Sequence, residues 1–183
     1  MAAAARKSVD ETPKSFRWRQ KAVYLVAAAG LIALDQWTKA IVVEVMPLYS
    51  SREVIRGFFS LVHTRNPGIA FSLFADSGPL IRNVLVPLMS VAAVALILFM
   101  LWSSRNTGAK THAGLSLILA GAVGNLYDRA AYGYVVDFLD FYIGPYHWPA
   151  FNVADSCITI GAGLILLDAL RGAVQQRREP ESA

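Results

Sequence analysis

Long apolar stretches alternate with polar segments along this chain, and the clearest of them carries no charged residue. Residues 84–102 (VLVPLMSVAAVALILFMLW) contain no Asp, Glu, Lys or Arg and are long enough to cross a hydrocarbon core of about 30 Å. Three further apolar stretches each contain one or more ionisable residues. We therefore predict a mainly α-helical membrane protein with four transmembrane helices, at about residues 22–45, 80–102, 112–130 and 153–170.

The composition agrees with a membrane protein. Hydrophobic residues make up 55% of the chain and charged residues 16%, whereas a soluble domain carries about a quarter charged residues. Cys157 is the only cysteine, so no disulfide can form within the chain.

Lysine and arginine are concentrated at one end of the predicted helices. Eleven of the 17 lie in the two tails or in the turn between the second and third spans, whereas the two opposite loops contain only Arg52, Arg56 and Arg65. The positive-inside rule therefore places both termini in the cytoplasm.

We predict a disordered cytoplasmic tail over residues 1–20, a membrane domain over residues 21–171 and a second cytoplasmic tail over residues 172–183. The net charge of +4 reflects this topology and is no evidence for nucleic-acid binding.

A cleaved signal peptide is an alternative interpretation of the N-terminus. Basic residues precede an apolar run with small residues at positions 27–30, which is the pattern of such a peptide. The apolar run continues to residue 45, however, and its removal would break the charge asymmetry. We therefore favour retention of the first span.

The two outer loops differ in character. In the first, at about residues 48–75, Asn66-Pro67-Gly68 is a turn signal between aromatic and β-branched residues, which predicts a strand, a turn and a second strand at the outer membrane face. The second, residues 131–152, contains eight aromatic residues, which are typical of the headgroup region. If residues 135–141 are extended, Asp137 and Asp140 point to opposite faces.

Polar residues within the predicted spans need a partner or a purpose. Asp35 and Lys39 share one helical face, either as an ion pair facing the bundle or as a substrate contact. Asn125, Asp128 and Arg129 share a face near the outer end of the third span. An Asp–Arg pair is the simpler explanation there, but it leaves the asparagine unexplained. A polar cluster facing a cavity accounts for all three.

The fourth span begins with a polar pair. Asn152 and Asp155 have the spacing of a helix N-cap and its third helical residue, a variant of the capping box. The topology also brings Asp155 to the same outer interface as Asp137. Paired carboxylates are the machinery of aspartic proteolysis, in which one activates water and the protonated other polarises the scissile carbonyl. The helix dipole favours Asp155 as the ionised base, and the apolar neighbours of Asp137 favour it as the neutral acid.

Four motifs resemble the lipoprotein signal peptidases, also called signal peptidase II. They are LDQWTK (34–39), TRNPGIAFSLF (64–74), GNLYDR with GYVVDF (124–129 and 133–138) and FNVADS (151–156), and the resemblance covers about residues 22–170. It implies a multi-pass aspartic endopeptidase of the bacterial inner membrane with its active site near the periplasmic face. Such enzymes remove signal peptides from diacylglyceryl-modified prolipoproteins by cleaving before the lipidated cysteine.

The resemblance also implies roles for individual residues and partners. The catalytic pair falls on Asp137 and Asp155, and the supporting polar residues fall on Asp35, Lys39, Asn66, Asn125, Arg129 and Asn152. No metal or cofactor is expected. The expected partners are lipid-modified prolipoproteins, membrane lipids and the cyclic depsipeptide inhibitors of the family, and we expect a monomer.

Two other classes of protein compete with the peptidase. A small proton-coupled transporter would use intramembrane acids such as Asp35, Asp128 and Asp168 as a relay, but a relay would spread its acids through the membrane depth rather than gather them at one interface. A purely structural or lipid-binding membrane protein leaves Asp137 and Asp155 without an explanation.

Overall fold

Four long helices and four short strands make up most of the described chain. The computed structural model describes residues 14–68, 78, 80–103 and 108–178. The helices are α1 (Lys14–Val45), α2 (Val86–Ser103), α3 (Ala109–Tyr132) and α4 (Val153–Arg178), and the strands are β1 (Ser51–Ile55), β2 (Phe59–Asn66), β3 (Val135–Ile143) and β4 (Tyr146–His147). A π-helical turn, Ile81–Leu85, leads directly into α2. The predicted mainly helical class with a small β element is confirmed.

Three of these helices have the length and apolar composition of a membrane span. They are Lys21–Val45 within α1, Val86–Ser103 of α2 and Val153–Val174 within α4. Helix α3 has 24 residues but contacts the other three helices, and its buried positions include glycine, alanine, serine and two polar residues. A helix enclosed in this way needs less apolar surface because it presents less of itself to lipid. A fourth crossing by α3 remains a prediction.

Helix α1 begins earlier than the sequence analysis predicted. It starts at Lys14, directly after Pro13, so the last part of the predicted disordered segment 1–20 is helical. No glycine or proline interrupts the sequence between Lys14 and Gly30. Residues 1–13 lie outside the described part of the chain.

A lysine joins the start of α1 to the end of α2, at the end of the bundle away from the sheet. Lys21 Nζ donates hydrogen bonds to the carbonyl oxygens of Leu101 (2.9 Å) and Trp102 (3.1 Å). A cation at this position satisfies the last carbonyls of α2 and interacts favourably with the negative end of its dipole. At the other terminus, α4 continues to Arg178, into the predicted tail 172–183.

Helices α3 and α4 cross at very short range because glycines lie between them. A Cβ atom added at Gly114 would lie 2.7 Å from the carbonyl oxygen of Gly161, and one added at Gly121 would overlap the carbonyl oxygen of Ala154. Small residues at a crossing point let two backbones approach closely. The first turn of α4 therefore packs directly against α3, one turn before Asn125.

The four strands form one antiparallel arrangement in the order β1-β2-β3-β4. Strand β2 comes from the first outer loop and β3 from the second, so the two outer loops meet at one end of the bundle. The sequence analysis predicted strands in the first loop and considered residues 135–141 extended only as a condition, and it missed β1, β4 and the pairing between the loops. Hydrophobic periodicity can predict that a segment is a strand, but it does not show which distant strand pairs with that segment. The predicted second strand of the first loop, after Gly68, lies outside the described residues.

The sheet packs on the outer end of α1. Val42 of α1 forms a buried apolar cluster with Val136 and Phe138 of β3. These two residues flank Asp137, so their packing fixes the part of β3 that carries this carboxylate. A second buried cluster joins α2 and α3 nearer the inner end, through Ile97, Leu101, Leu115 and Leu119.

Candidate active site

Asp137 is a buried carboxylate with an amide donor on each oxygen. It lies in β3 with 3% of its surface exposed. Oδ1 accepts a hydrogen bond from Asn152 Nδ2 (2.8 Å) and Oδ2 accepts one from Asn66 Nδ2 (3.1 Å). Burial in the first place, and then the nearby charge of Asp155, raise the pKa of Asp137 to about 7, although the two amide donors oppose this shift. A carboxyl with this pKa is partly protonated at neutral pH.

Asp155 lies in the first turn of α4, in a capping box with Asn152. Asn152 Oδ1 accepts a hydrogen bond from the main-chain N–H of Asp155 (3.0 Å), and Asp155 Oδ2 accepts one from the main-chain N–H of Asn152 (3.3 Å). These reciprocal bonds confirm the predicted cap and fix the orientation of the Asp155 carboxylate.

Asn152 contacts both carboxylates. Its side-chain amide donates to Asp137, and its main-chain N–H donates to Asp155. The Asn152 Nδ2 atom also lies 3.2 Å from the carbonyl oxygen of Val136, and the residue is fully buried. One rigid residue therefore sets the position of Asp137 relative to Asp155. Asn152 thus links Asp137 of β3 to Asp155 of α4 at one end of the bundle.

Asn125 of α3 is the second amide at Asp155. Its Nδ2 donates to Asp155 Oδ1 (2.8 Å), and its Oδ1 accepts hydrogen bonds from Lys39 Nζ (3.0 Å) and Asn152 Nδ2 (3.4 Å). Each of the two carboxylates thus accepts two N–H groups, one at each oxygen. The remaining lone pairs are available to a proton, a water molecule or a substrate.

A buried charged cluster lies behind Asn125. Lys39 Nζ is 2.7 Å from Asp35 Oδ2 and 2.8 Å from Asp128 Oδ2, and the three residues are 1–3% exposed. The Asp35–Lys39 ion pair is as predicted. The alternative of an Asp128–Arg129 pair is wrong, because consecutive residues of a helix do not face each other and Asp128 pairs with Lys39 instead.

Asp35 also connects α1 to the start of α4. Its Oδ1 accepts a hydrogen bond from the main-chain N–H of Ala154 (2.8 Å), one of the otherwise unpaired donors at the start of that helix. A Cβ atom at Gly124 would lie 2.7 Å from Asp35 Oδ2. Both Asp35 oxygens are therefore engaged by the protein, which favours the ion-pair interpretation over a substrate contact.

Arg129 holds the turn of the first outer loop rather than either carboxylate. Its Nη2 and Nε donate to the carbonyl oxygen of Gly68 (2.7 and 3.3 Å), and its Nη1 donates to the carbonyl oxygen of Asn125 (3.2 Å). Asn66 stabilises the same turn, because its Oδ1 accepts the N–H of Gly68 (2.9 Å). Arg129 thus supports Asn66, which in turn contacts Asp137.

Two further features bear on the site. Asp140, the other acid of β3, accepts a hydrogen bond from His147 Nδ1 (3.0 Å) rather than from Asn152, as expected if it points away from Asp137.

Gln36 was missed by the sequence analysis, although a polar residue next to Asp35 within an apolar span was a usable signal. Its Nε2 donates to Asp128 Oδ1 (2.8 Å) and to the carbonyl oxygen of Gly124 (3.2 Å).

Comparisons with known proteins give consistent matches. A family model described as signal peptidase (SPase) II matches residues 27–171. The lipoprotein signal peptidase of Desulforapulum autotrophicum is 53% identical over 131 residues, which cover 72% of this chain and 81% of that protein. That of Solibacter usitatus is 44% identical over 155 residues, covering 85% and 92%. A bacterial membrane enzyme structure solved by the in meso method at 2.3 Å resolution matches with a TM-score of 0.75 and 30% identity, covering 88% of this chain and 94% of that one.

Proposed function

The chain belongs to the signal peptidase II family, and from that premise we propose that it is an aspartic endopeptidase in which Asp137 and Asp155 form the catalytic pair. The family consists of membrane proteases that process prolipoproteins. The observation that carries the proposal is the double contact of Asn152 with both carboxylates. Two acids fixed against one another beside an apolar bundle are suited to the hydrolysis of a peptide bond at a membrane surface.

The proposed substrates are prolipoproteins that already carry diacylglycerol on the cysteine to be exposed. Cleavage occurs on the N-terminal side of that cysteine and releases the signal peptide. The polar groups of the site lie at the outer end of helices whose other faces expose large apolar residues, including Leu34, Trp37 and Ile41 of α1. This arrangement lets the lipid chains of a substrate remain in the bilayer while its peptide bond reaches the acids.

The proposed orientation places the pair near the periplasmic face of the inner membrane and both termini in the cytoplasm. Eleven of the 17 basic residues lie on one side of the predicted spans, which supports this orientation through the positive-inside rule. The sheet built from the two basic-poor loops lies at the opposite end from Lys21.

In the proposed mechanism, ionised Asp155 removes a proton from a water molecule as its oxygen attacks the scissile carbonyl carbon. Protonated Asp137 donates a hydrogen bond to the carbonyl oxygen and transfers its proton as the oxygen gains negative charge. The tetrahedral intermediate then collapses. The C–N bond breaks, the proton held by Asp155 passes to the leaving amine of the cysteine, and the hydroxyl proton of the intermediate returns to Asp137. The signal peptide leaves with a new carboxyl group.

The neighbours of each acid suit these two roles. Asp155 is half-buried and lies in the first turn of α4, where solvent and the positive end of the helix dipole favour a carboxylate over a carboxylic acid. Asp137 lies between buried Val136 and Phe138, where the neutral form is favoured. The two acids exchange charge as a coupled pair, so this assignment describes the dominant protonation state.

We expect the rate of cleavage to fall as the pH rises through about 7. Asp137 must be protonated to act as the acid, and its pKa of about 7 is above the usual value for an aspartate. The protonated fraction is therefore nearly complete below the midpoint and decreases about tenfold per pH unit above it. The measurement is kcat/KM for a lipid-modified precursor between about pH 5 and pH 10, at constant ionic strength. A rate that still increases at about pH 9 would contradict the assignment of Asp137 as the acid.

The substrate class is tested with purified protein in detergent or lipid vesicles. Two precursors of identical sequence are compared, one carrying diacylglycerol on its cysteine and one unmodified. We expect cleavage of the modified precursor alone, and mass spectrometry of the product should show the lipidated cysteine at its N-terminus. Equal cleavage of both precursors, or a cut at another bond, would contradict the proposed specificity.

The transporter alternative finds no supporting observation. Asp35 and Asp128 are both paired with Lys39 in the buried cluster behind Asn125 and do not form a separate path through the bundle. Asp168 lies near the inner end of α4 and accepts a hydrogen bond from Thr111 Oγ1 (2.6 Å), away from the outer cluster.

A further inference from the structure

Asp128 is at the start of a continuous chain of contacts that ends at Asp155. Asp128 Oδ2 lies 2.8 Å from Lys39 Nζ, Lys39 Nζ donates to Asn125 Oδ1 (3.0 Å), and Asn125 Nδ2 donates to Asp155 Oδ1 (2.8 Å). The first three residues are buried, so water does not compete for these contacts. A change at Asp128 can therefore reach Asp155 through two intervening side chains.

The ammonium group of Lys39 lies among three acceptor atoms. It has three N–H donors, and three acceptors surround it: Asp35 Oδ2 (2.7 Å), Asp128 Oδ2 (2.8 Å) and Asn125 Oδ1 (3.0 Å). Lys39 donates hydrogen bonds to Asp35 Oδ2 and Asn125 Oδ1, whereas Asp128 Oδ2 holds the ammonium group by charge and accepts no hydrogen bond from the described residues. Loss of the Asp128 charge would let the ammonium group shift toward Asp35, the acceptor that remains strongest. The weakest of the three contacts is the one to the neutral amide of Asn125.

The contact with Lys39 determines which way the Asn125 amide points. With its oxygen toward Lys39, Asn125 turns its NH₂ group to Asp155. The opposite orientation would direct the NH₂ group at an ammonium group and the oxygen at a carboxylate, and both contacts would be repulsive. Without the lysine contact, the amide would be oriented only by Asp155 and by the long hydrogen bond from Asn152 Nδ2 (3.4 Å).

Gln36 keeps Asp128 in the position that this chain of contacts requires. Its Nε2 donates to Asp128 Oδ1 (2.8 Å), the oxygen that does not contact Lys39, and also reaches Asp35 Oδ2 (3.2 Å). Both carboxylates around Lys39 are thereby held by one neutral side chain. Gln36 lies next to Asp35 on α1, so the helix backbone fixes its position as well.

We propose that Asp128, supported by Gln36, is a positioning residue for the reaction: it holds Lys39 against the Asn125 oxygen, so that the Asn125 amide donates to Asp155. This inference rests on the proposed function, because it assigns Asp128 a role only if Asp155 reacts. Asp128 touches neither acid of the pair, and its effect on the rate passes through Asn125. Its loss should therefore lower kcat and leave KM for the lipid-modified precursor nearly unchanged.

A double-mutant cycle tests this inference. Asp128→Asn is expected to lower kcat by about 10-fold or more in the wild-type background, with KM changed by less than about two-fold. In an Asn125→Ala background, where the amide is absent, Asp128→Asn should change the residual kcat by less than about three-fold. Equal reductions in both backgrounds would overturn the inference, because they would show that Asp128 acts independently of Asn125.

Glu44→Gln is the matched control for loss of charge. Glu44 and Asp128 line the same cavity of about 270 Å³, next to Lys39 and Gln36, but Glu44 is exposed and makes no hydrogen bond to the described residues of the cluster. The Glu44 variant should retain kcat within about two-fold in both backgrounds. A loss equal to that of Asp128→Asn would indicate a general effect of charge and overturn the positioning role.

A second variant applies if Asp128→Asn does not fold, as judged by size-exclusion chromatography in detergent. Gln36→Met removes the donor to Asp128 and retains the volume of a half-buried side chain, and it should show the same loss of kcat and the same dependence on Asn125. An additive effect of Gln36→Met would overturn the inference.

If Asp137→Asn or Asp155→Asn leaves cleavage intact, the proposed function itself fails. If both abolish cleavage and Asp128→Asn remains additive, only the positioning role fails.

Discussion

Substitution of either Asp137 or Asp155 by asparagine is expected to lower kcat for the lipid-modified precursor by about 10³-fold or more. An asparagine at position 155 cannot remove a proton from water. An asparagine at position 137 can donate a hydrogen bond to the scissile carbonyl but cannot transfer a proton to it. Because the two acids act on one substrate molecule, the double variant should be scarcely slower than either single variant.

The asparagine variants should remain folded. Asparagine has nearly the volume of aspartate, and at position 155 it removes a partly buried charge, which lowers the desolvation cost. At position 137, one of the two amide donors, Asn66 or Asn152, would face an NH₂ group rather than an oxygen, which costs about 1–3 kcal/mol unless the side chains rotate. Thermal unfolding in detergent checks that loss of activity is not loss of structure.

Each variant has a control on the same structural element. Asp140→Asn changes the other acid of β3, which contacts His147 rather than Asn152, and Asp168→Asn changes an acid of α4 that contacts Thr111. Both controls should keep kcat within a few-fold of wild type. If Asp137→Asn or Asp155→Asn retains a tenth or more of the wild-type kcat, the aspartic mechanism is excluded for this chain.

Local patterns in the sequence predicted local structure well. The charge-free run within residues 84–102 corresponds to α2, the spacing of Asp35 and Lys39 gives their ion pair, and Asn152 with Asp155 forms the capping box. In each of the two polar pairs the contacting residues are at most four positions apart. The geometry of a single helix therefore determines whether they meet, and that geometry is known before the fold is.

Contacts between distant elements could not be predicted in the same way. Whether Asp128 meets Lys39 or Arg129 depends on how α1 and α3 are rotated about their axes, which helical periodicity specifies only to a broad face. The contact of Arg129 with the Gly68 carbonyl oxygen requires the first outer loop to fold over α3. The resemblance to a known family supplied these residues as a set but not the contacts between them.

Helix α3 is less apolar than the stretches of the other three helices that have the composition of a membrane span. Its glycines at positions 114, 121 and 124 lie against α4 or α1, where any side chain would clash. Tight packing and a polar site thus make α3 less apolar than a helix surrounded by lipid. A hydropathy scale is based on transfer into lipid. It therefore underestimates the tendency of a helix to cross the membrane when the neighbours of that helix are mostly protein.

Substitution of Asn152 is expected to separate the capping of α4 from the positioning of the two acids. Asn152→Ser should keep the cap, because a serine oxygen can accept the main-chain N–H of Asp155. Serine has no amide to donate to Asp137 Oδ1, a contact of 2.8 Å in this structure. We therefore expect a melting temperature near that of wild type and a kcat lower by about 10²-fold, the typical cost of removing one preorganised donor from an active site.

Asn152→Ala removes the cap as well as the amide and completes the comparison. The loss of a cap destabilises a helix by about 1 kcal/mol, so the alanine variant should melt at a lower temperature than the serine variant. Its kcat should nevertheless match that of the serine variant at temperatures where both are folded, because both lack the donor to Asp137. A serine variant with wild-type kcat would show that capping alone is the role of Asn152. Equal melting temperatures for the two variants would show instead that the cap contributes little, and that the residue serves to hold Asp137 in register with Asp155.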